Sequence, residues 1–373
     1  MLSITAPDST TMQTDTIGPL ARTITDTPTD IWNDSCAIDE LEYAIAFGAV
    51  GATANPTIVM EVWKKDSQAW TNRVRALAVE QPAWTEVELA WAIVEEMSVR
   101  GAALLVPAFE ASGRRAGRLS VQTDPTLFRS TELMLAQGLA FDRLAPNIVV
   151  KFPATVAGVA AMEEATYRGV SINATVSFTV PQALAAAEAV ERGLRRRESE
   201  SLPTDAIGPV ITIMMGRLED WLRVLTDRDG VIVDPTALPW SGIAVFKRAY
   251  ALFRERGYRA RLLGAAIRHH LHWSELIGGD VIITLPASWQ RRFNASTVEV
   301  RPRMDEPVDR AIVDELARAF PDFVRAYEPE GLAIEEFDAF GPSIRTLRAF
   351  VGSYHELLHH VSDALLPNPD LPA

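Results

Sequence analysis

Apolar residues along this 373-residue chain fall into two alternating patterns. Short β-branched or small apolar runs that end in polar residues alternate with longer stretches whose apolar positions recur every three or four residues. The first pattern marks strands and the second marks amphipathic helices. Extended runs are expected at Thr29–Asp34, Val50–Pro56, Gly117–Asp124, Ile148–Lys151, Val170–Val176, Pro209–Arg217, Arg261–Arg268 and Asp280–Pro286. Helices are expected at Ile38–Phe47, through most of residues 57–115, from Val156 to a stop at Gly169, and from about Pro181 to Arg197. The stretch Pro146–Phe178 shows the repeating unit most plainly: an apolar strand, a turn at Phe152-Pro153-Ala154, a helix, and a second apolar strand. Strands of this kind joined by a helix form a βαβ unit and a parallel sheet.

Eight strands with helices between them close most naturally into an α/β barrel. The barrel is expected to span residues 29–287. Residues 1–28 are rich in Thr, Asp and Pro and lack apolar periodicity, and read as a poorly ordered N-terminal arm. Residues 288–373 carry helical patterns at about 308–319 and 344–366 and read as a C-terminal helical extension packed on the barrel or making an oligomer contact; a homo-oligomer is left open.

Composition narrows the function classes. A formal charge of −13 and a pI near 5.0 argue against a polyanion-binding surface, so no nucleic-acid partner is expected, although a small basic pocket is compatible. No apolar run reaches the ~18 residues of a membrane helix, so no membrane partner is expected. The first residues, MLSITAPDSTTMQTD, lack both the basic and the apolar region of a secretory leader. The single cysteine, Cys36, excludes an internal disulfide and fits a reducing cytoplasm.

In parallel α/β folds chemistry gathers at the carboxyl ends of the strands. Lys151 sits at such an end, behind Ile148, Val149 and Val150. It is one of four lysines, the others being Lys64, Lys65 and Lys247. Desolvation by the apolar run disfavours the ammonium form, and a neutral amine can attack a carbonyl and form a Schiff base. On this stretch alone the alternative is a lysine that caps a strand and pairs with a carboxylate.

The segment VVKFPAT, a helix, and then SINATVSF resembles the Schiff-base segment of the transaldolases. The resemblance implies a (β/α)8 TIM barrel, with Lys151 as covalent nucleophile and Asn173 and Thr175 as polar groups around it, Thr175 holding a water. Asp34 ends the first strand, and a Thr-x-Asn-Pro motif, Thr53 to Pro56, ends the second. By resemblance Asp34 moves the proton during carbon–carbon cleavage, and Asn55 binds substrate hydroxyls with Thr53 in support. Taken singly, Asp34 reads equally as a helix N-cap and Asn55-Pro56 as turn chemistry; their fall at successive strand ends with Lys151 favours the catalytic reading.

The third strand is similar to the family's Gly-Arg-Val-Ser-x-Glu-x-Asp pattern, except that Gln122 stands at the glutamate. A glutamine keeps hydrogen bonds but accepts no proton at neutral pH. Fructose-6-phosphate aldolases also carry glutamine near this place. In the sixth strand Thr212 keeps the family's hydroxyl, Met214 falls at an aromatic place, and Arg217 is implied to hold an anion. Without the family match, a surface ion pair from Arg217 to Glu219 or Asp220 is favoured. In the seventh strand Arg268 becomes the second anion ligand, and Ala266 replaces a serine that often helps bind phosphate. Two arginines suit a dianionic phosphate.

The resemblance thus implies transfer of a dihydroxyacetone unit between a ketose phosphate and an aldose acceptor, with an aldolase releasing free dihydroxyacetone as the alternative. The partner is a small-molecule sugar phosphate. The protonated imine serves as electron sink, so no metal and no organic cofactor are expected.

Four further features are weighed against this reading. Trp63, Trp70, Trp84 and Trp91 are expected to pack helices on the barrel rather than line a groove. Residues Arg195 to Glu200 form a solvated, charged helix end. His269, His270 and His272 crowd one strand end, but no acidic or cysteine partner lies close by in sequence, so they read as lining the anion pocket rather than as a metal site. His355-Glu356-Leu357-Leu358-His359 fits the H-E-x-x-H zinc-hydrolase pattern, which fixes few residues; no third ligand follows at a typical spacing, and it reads as a polar helix face.

Overall fold

A computed structural model describes residues 18–370. Eight parallel strands close into a barrel in sequence order. They are β1 (Asp30–Asn33), β2 (Gly51–Thr53), β3 (Arg118–Gln122), β4 (Ile148–Pro153), β5 (Ile172–Thr175), β6 (Val210–Met214), β7 (Arg261–Ala265) and β8 (Ile282–Leu285). The last strand pairs with the first, Asp30 opposite Ile282 and Asn33 opposite Leu285. Helices cover the outside, so both faces of the strands are buried, which is why β4 and β6 contain no polar/apolar alternation. Register sets the site: Gln122 lies opposite Lys151, and Lys151 opposite Asn173, so three neighbouring strands bring these residues to one level.

Two expected strands end early. β6 stops at Met214, and a helix, Met215–Asp229, begins where the strand was expected to continue, so Arg217 sits in a helical first turn. β7 stops at Ala265 because Ala266 adopts a left-handed conformation (φ 62°), and Arg268 lies in the irregular segment that follows. Apolar runs alone could not show either stop, since Met215 and Ile267 extend the hydrophobic pattern past the turn.

The N-terminal reading also needs correction. Residues 1–17 lie outside the described residues, but Pro19–Asp26 is a helix. Leu20 and Thr23 are fully buried on it. The Thr23 hydroxyl donates to the Pro19 carbonyl (2.9 Å) and accepts from the Trp273 indole (3.2 Å). A threonine that bonds back along its own helix can be buried, so a Thr-rich stretch concealed a packed element.

The expected helices of the extension are present at Arg310–Ala319 and Gly341–Leu365, joined by a short helix, Pro321–Tyr327. Gly341–Leu365 packs against the helices Pro56–Lys65, Ser67–Glu80, Glu86–Ala111 and Met215–Asp229. It thereby brings Phe350 and Tyr354 down toward the barrel mouth. The H-E-x-x-H residues occupy its outer side: Glu356 pairs with Lys64 (2.8 Å), and the His359 ring is 75% exposed near Asp363. Trp63 is buried, and Trp91 packs beside Phe141 and Tyr354, as helix-packing tryptophans should; Trp84 is exposed. The charged end of the helix Val180–Ser199 ties to its neighbour through Arg192–Glu163 and Arg196–Glu164 pairs, which at this exposure contribute little.

If the N-terminal helix belongs to the core, Leu20→Ala should destabilise the protein by about 3 kcal/mol, as expected for emptying a buried leucine site. A urea-unfolding shift of only a few tenths of a kcal/mol would assign Pro19–Asp26 to a loose arm instead.

Candidate active site

A cavity of about 390 Å³ opens at the carboxyl ends of the strands. Of the residues expected to form a site, Asp34, Thr53, Asn55, Lys151, Thr175, Thr212, Arg217 and Arg268 line it. They come from β2, β4, β5, β6 and the segments that follow β1, β2, β6 and β7, which closure alone brings together. A larger cavity, about 560 Å³, lies by the helix Ser241–Arg256 and holds none of them; its Lys247 is tied to Glu275 (2.9 Å) and to the Arg303 and Glu306 carbonyls.

Lys151 is 6% exposed. Its Nζ donates to the Ala54 carbonyl (3.2 Å), a neutral partner. Burial pushes the amine down to about 8, against an opposing pull from Asp34 and Cys36. At pH 7 about a tenth of such amines are neutral, against roughly 0.03% for an ordinary lysine. The alternative of a lysine paired with a carboxylate is therefore not what the fold builds. Cys36 is buried beside it, and its thiol is pushed up to about 12, first by burial, which leaves it inert at neutral pH.

Asp34 is held rather than capping a helix. Its Oδ1 accepts from the Thr53 hydroxyl, and Thr53 also meets the Thr284 hydroxyl at 3.2 Å. Asn55 does cap: its Oδ1 accepts from Ile58 N (3.0 Å), opening the helix Pro56–Lys65. That bond orients the amide and leaves its two N–H donors at the cavity. Glu61 and Glu40 add carboxylates to the same wall, and Glu61 is raised, first by partial burial and then by Asp34 and Glu40.

Asn173 and Gln122 do not line the cavity. Asn173, level with Lys151, is fully buried, donating to the Ser120 hydroxyl (3.0 Å) and accepting from Thr212 of the adjacent β6 (2.8 Å). Gln122 instead borders a small cleft with Asn55, Trp91 and Tyr354, and its buried Oε1 has no hydrogen-bond partner. Thr175 lines the cavity, its hydroxyl 4.0 Å from the Met214 sulfur.

The other wall is cationic. Arg217 has no carboxylate partner among the described residues, so its expected alternative, an ion pair to Glu219 or Asp220, is absent; Asp220 instead takes Arg268 (2.7 Å). Burial first, then the neighbouring Arg268 and Arg345, lower the Arg217 guanidinium, and the Phe350 ring lies 5.7 Å from it. Gly216 beside it admits close packing, since a Cβ there would sit 1.9 Å from the Ala266 carbonyl oxygen.

The histidines need a second correction. An acidic partner does lie close in space: Glu219, His269 and His272 bring ligand atoms within 4.8 Å of one another. However, His272 Nδ1 accepts from the Arg268 backbone N–H (3.2 Å), so the neutral ring carries its proton on Nε2, facing Glu219. A metal at this place would have to displace that proton and invert the tautomer. Only His272 is fully buried, and none of the three lines the cavity.

Sequence reading missed Thr284, Glu40, Glu61 and Phe350. Thr284 was within reach, because an inward-facing position two residues after Ile282 follows from strand period. Phe350 carries no local signal, since its place depends on a helix far along the chain.

Matching the sequence to family descriptions gives transaldolase/fructose-6-phosphate aldolase over residues 31–333, most of the chain. The chain belongs to this family. It is similar to transaldolase 2 of Streptomyces avermitilis, 26% identical over 319 residues that cover 78% of this chain and 84% of that protein. It is 28% identical to the transaldolase of Thermobifida fusca over 255 residues, 64% of this chain and 66% of that one. It is therefore an enzyme of aldolase/transaldolase type. The match extends beyond Ala287, so the family's sequence pattern takes in part of the extension. No helix among the described residues is long and apolar enough to cross a membrane.

Holding Lys151 out of water costs stability. The shift from 10.5 to about 8 corresponds to a cost on the order of 3 kcal/mol. Below about pH 8 the group is charged both folded and unfolded and the full cost applies; it fades as pH rises from 8 through 10.5, and is gone only above that, where both states are neutral. Lys151→Met should therefore raise unfolding stability at pH 7, by up to that amount, and the gain should shrink by pH 10. Urea melts at the two pH values check this, and a variant less stable than wild type at pH 7 contradicts it.

Proposed function

We propose that the protein transfers a dihydroxyacetone unit between a ketose phosphate and an aldose acceptor through a Schiff base on Lys151. The observation that carries this reading is the buried Lys151 amine, bonded only to a neutral carbonyl, in a cavity that also holds Asp34 and two arginines. The neutral amine attacks the C2 carbonyl of the ketose, and loss of water gives the protonated imine. Asp34 takes the C4 hydroxyl proton, the C3–C4 bond breaks, and its electron pair passes to the imine nitrogen. The aldehyde leaves and an enamine remains on Lys151. The enamine carbon then adds to the carbonyl of an acceptor aldehyde, Asp34 returns the proton to the new hydroxyl, and water releases the product.

The remaining groups suit this sequence. Thr53 and Thr284 keep Asp34 in place, Asn55 offers amide donors to sugar hydroxyls, and Thr212 fixes Asn173 beside the lysine. Thr175 lines the cavity and holds the water. Arg217 and Arg268 take the anionic group of the sugar phosphate. A sugar-phosphate enzyme of this kind works in the cytoplasm.

Borohydride reduction after incubation with fructose 6-phosphate should leave a three-carbon adduct on Lys151, found by peptide mass. Lys151→Met should give no adduct and no activity while circular dichroism stays native. The trapping rate should rise with pH through about 8, following the neutral amine. Unfolding of the Met variant, or an adduct elsewhere, would sink the assignment.

A second reading is an aldolase that releases free dihydroxyacetone, favoured by Gln122, which cannot relay a proton and stands outside the cavity. Gln122→Glu should shift the ratio of transfer to cleavage toward transfer. An unchanged ratio, measured with and without acceptor aldehyde, removes Gln122 from the argument.

A further inference from the structure

Arg268 sits on a segment that cannot hold itself. β7 ends at Ala265, Ala266 is forced into the left-handed region, and the next helix, Leu271–Ser274, is a single turn. A non-glycine residue in that region is strained and persists only where surrounding contacts fix it. The contacts come from the first turns of the helix Met215–Asp229 and from His272 of the short helix itself. Asp220 takes the Arg268 guanidinium through Nε (3.1 Å) and Nη2 (2.7 Å). Its neighbour Glu219, 2% exposed, faces the other way. Glu219 Oε1 accepts from Arg223 (2.6 Å), and Oε2 lies 3.0 Å from His269 Nε2 and 3.6 Å from His272 Nε2. His272, with no exposed surface, accepts the Arg268 backbone N–H on Nδ1.

We propose that His272, backed by Glu219, is a positioning residue that fixes the Arg268 backbone, so that two successive carboxylates of one helix hold the two ends of a single anion-binding arginine. The inference rests on the reading of Arg268 as an anion ligand. Asp220 orients the guanidinium; Glu219 and His272 fix where its stem leaves the barrel. Glu219 remains ionised at working pH: burial raises its pKa, but His269 and Arg223 outweigh this and hold it down to about 2. His272 remains neutral, pushed down to about 3, first by burial and then by His269. The charge states of the clamp therefore hold across the neutral range: His272 Nδ1 accepts the Arg268 N–H, which sets the tautomer, and Glu219, 3.6 Å from Nε2 and too far for a hydrogen bond, acts on the Nε2–H electrostatically.

The test compares His272→Leu with His272→Asn, because an asparagine carbonyl can stand in for the Nδ1 acceptor and leucine cannot. The first readout is inorganic phosphate binding by calorimetry. The second is the half-saturating concentration of unphosphorylated dihydroxyacetone in borohydride trapping, which reports Lys151 alone. His272→Leu should weaken phosphate binding about tenfold, the cost of one hydrogen bond lost at a buried site, with trapping unchanged. His272→Asn should stay within about threefold of wild type on the same scale. Equal loss in both variants, or loss of trapping along with phosphate binding, would mean general damage to the fold and overturn the proposal. Arg268→Ala separates the two levels. If it leaves phosphate binding intact, Arg268 is not an anion ligand and the inference falls with that reading. If it abolishes binding and His272→Leu does not weaken it, only the positioning role falls.

Discussion

The mouth of this barrel depends on keeping one amine, Lys151 Nζ, out of water without giving it an ionic partner. A direct carboxylate contact would repay the burial but favour the ammonium, and the amine would lose its reactivity. The fold avoids this by giving Nζ a neutral carbonyl, that of Ala54, and by tying Asp34 to the Thr53 hydroxyl. Asp34 stays close enough to act on the amine electrostatically yet is held by another group. The arrangement needs β1, β2 and β4 in fixed register, since Asp34, Ala54 and Lys151 each come from a different strand or its end. The hydrophobic core that fixes the register thus stabilises a site that is itself unfavourable.

Charge is laid out across the cavity in the same spirit. Asp34, Glu40 and Glu61 stand on the wall formed by the first two βα segments, while Arg217 and Arg268 stand on the wall from the sixth and seventh. The chain as a whole carries −13, so a guanidinium without a carboxylate partner is notable here. Arg217 is such a group, half-buried and pressed further by Arg268 and Arg345. A low-dielectric pocket with opposite charges on facing walls orients an elongated, one-ended anion before any bond forms. In our reading the phosphate goes to the arginines, which sets the carbonyl end toward Lys151.

Much of this was legible in the sequence, and for physical reasons. A parallel barrel strand, buried on both faces, announces itself as an apolar run, and its polar terminal residue is then conspicuous, as with Lys151. The eight strands and their order followed, and so did the approximate place of Asp34, Asn55 and Thr175. What stayed hidden lay at turns and at long range. The stops at Met214 and Ala265 are backbone events inside continuing apolar runs. The helix Pro19–Asp26 was masked because threonines can satisfy their hydroxyls on their own helix. Glu219 and His272 are separated by a whole βα unit, so no local spacing could pair them. Gln122 and Asn173 show a further limit: a motif gave their level in the barrel but not which way the side chain would find its partner.

The departures from the pattern the chain resembles fall at both ends of the site, with different chemical consequences. Lys151, Asp34, Asn55, Asn173 and Thr175 match it and Gln122 departs from it opposite the lysine, whereas Met214 and Ala266 depart from it toward the arginines. Bond making at the amine end requires particular atoms at particular places, because a nucleophile and a proton acceptor misplaced by an ångström lose most of their effect. Anion binding requires only that guanidinium groups be present and held, and several scaffolds can hold them. Here Ala266 stands where the resemblance expects a serine, while the buried His272 accepts the Arg268 backbone N–H and Glu219 is bonded to the neighbouring His269. The C-terminal helix adds Phe350 against Arg217 and brings Arg345 alongside, with its Nη1 3.3 Å from the Asp220 carbonyl. The arginine wall thus combines two residues of barrel motifs, Arg217 and Arg268, with Phe350 and Arg345 of a helix that those motifs do not specify.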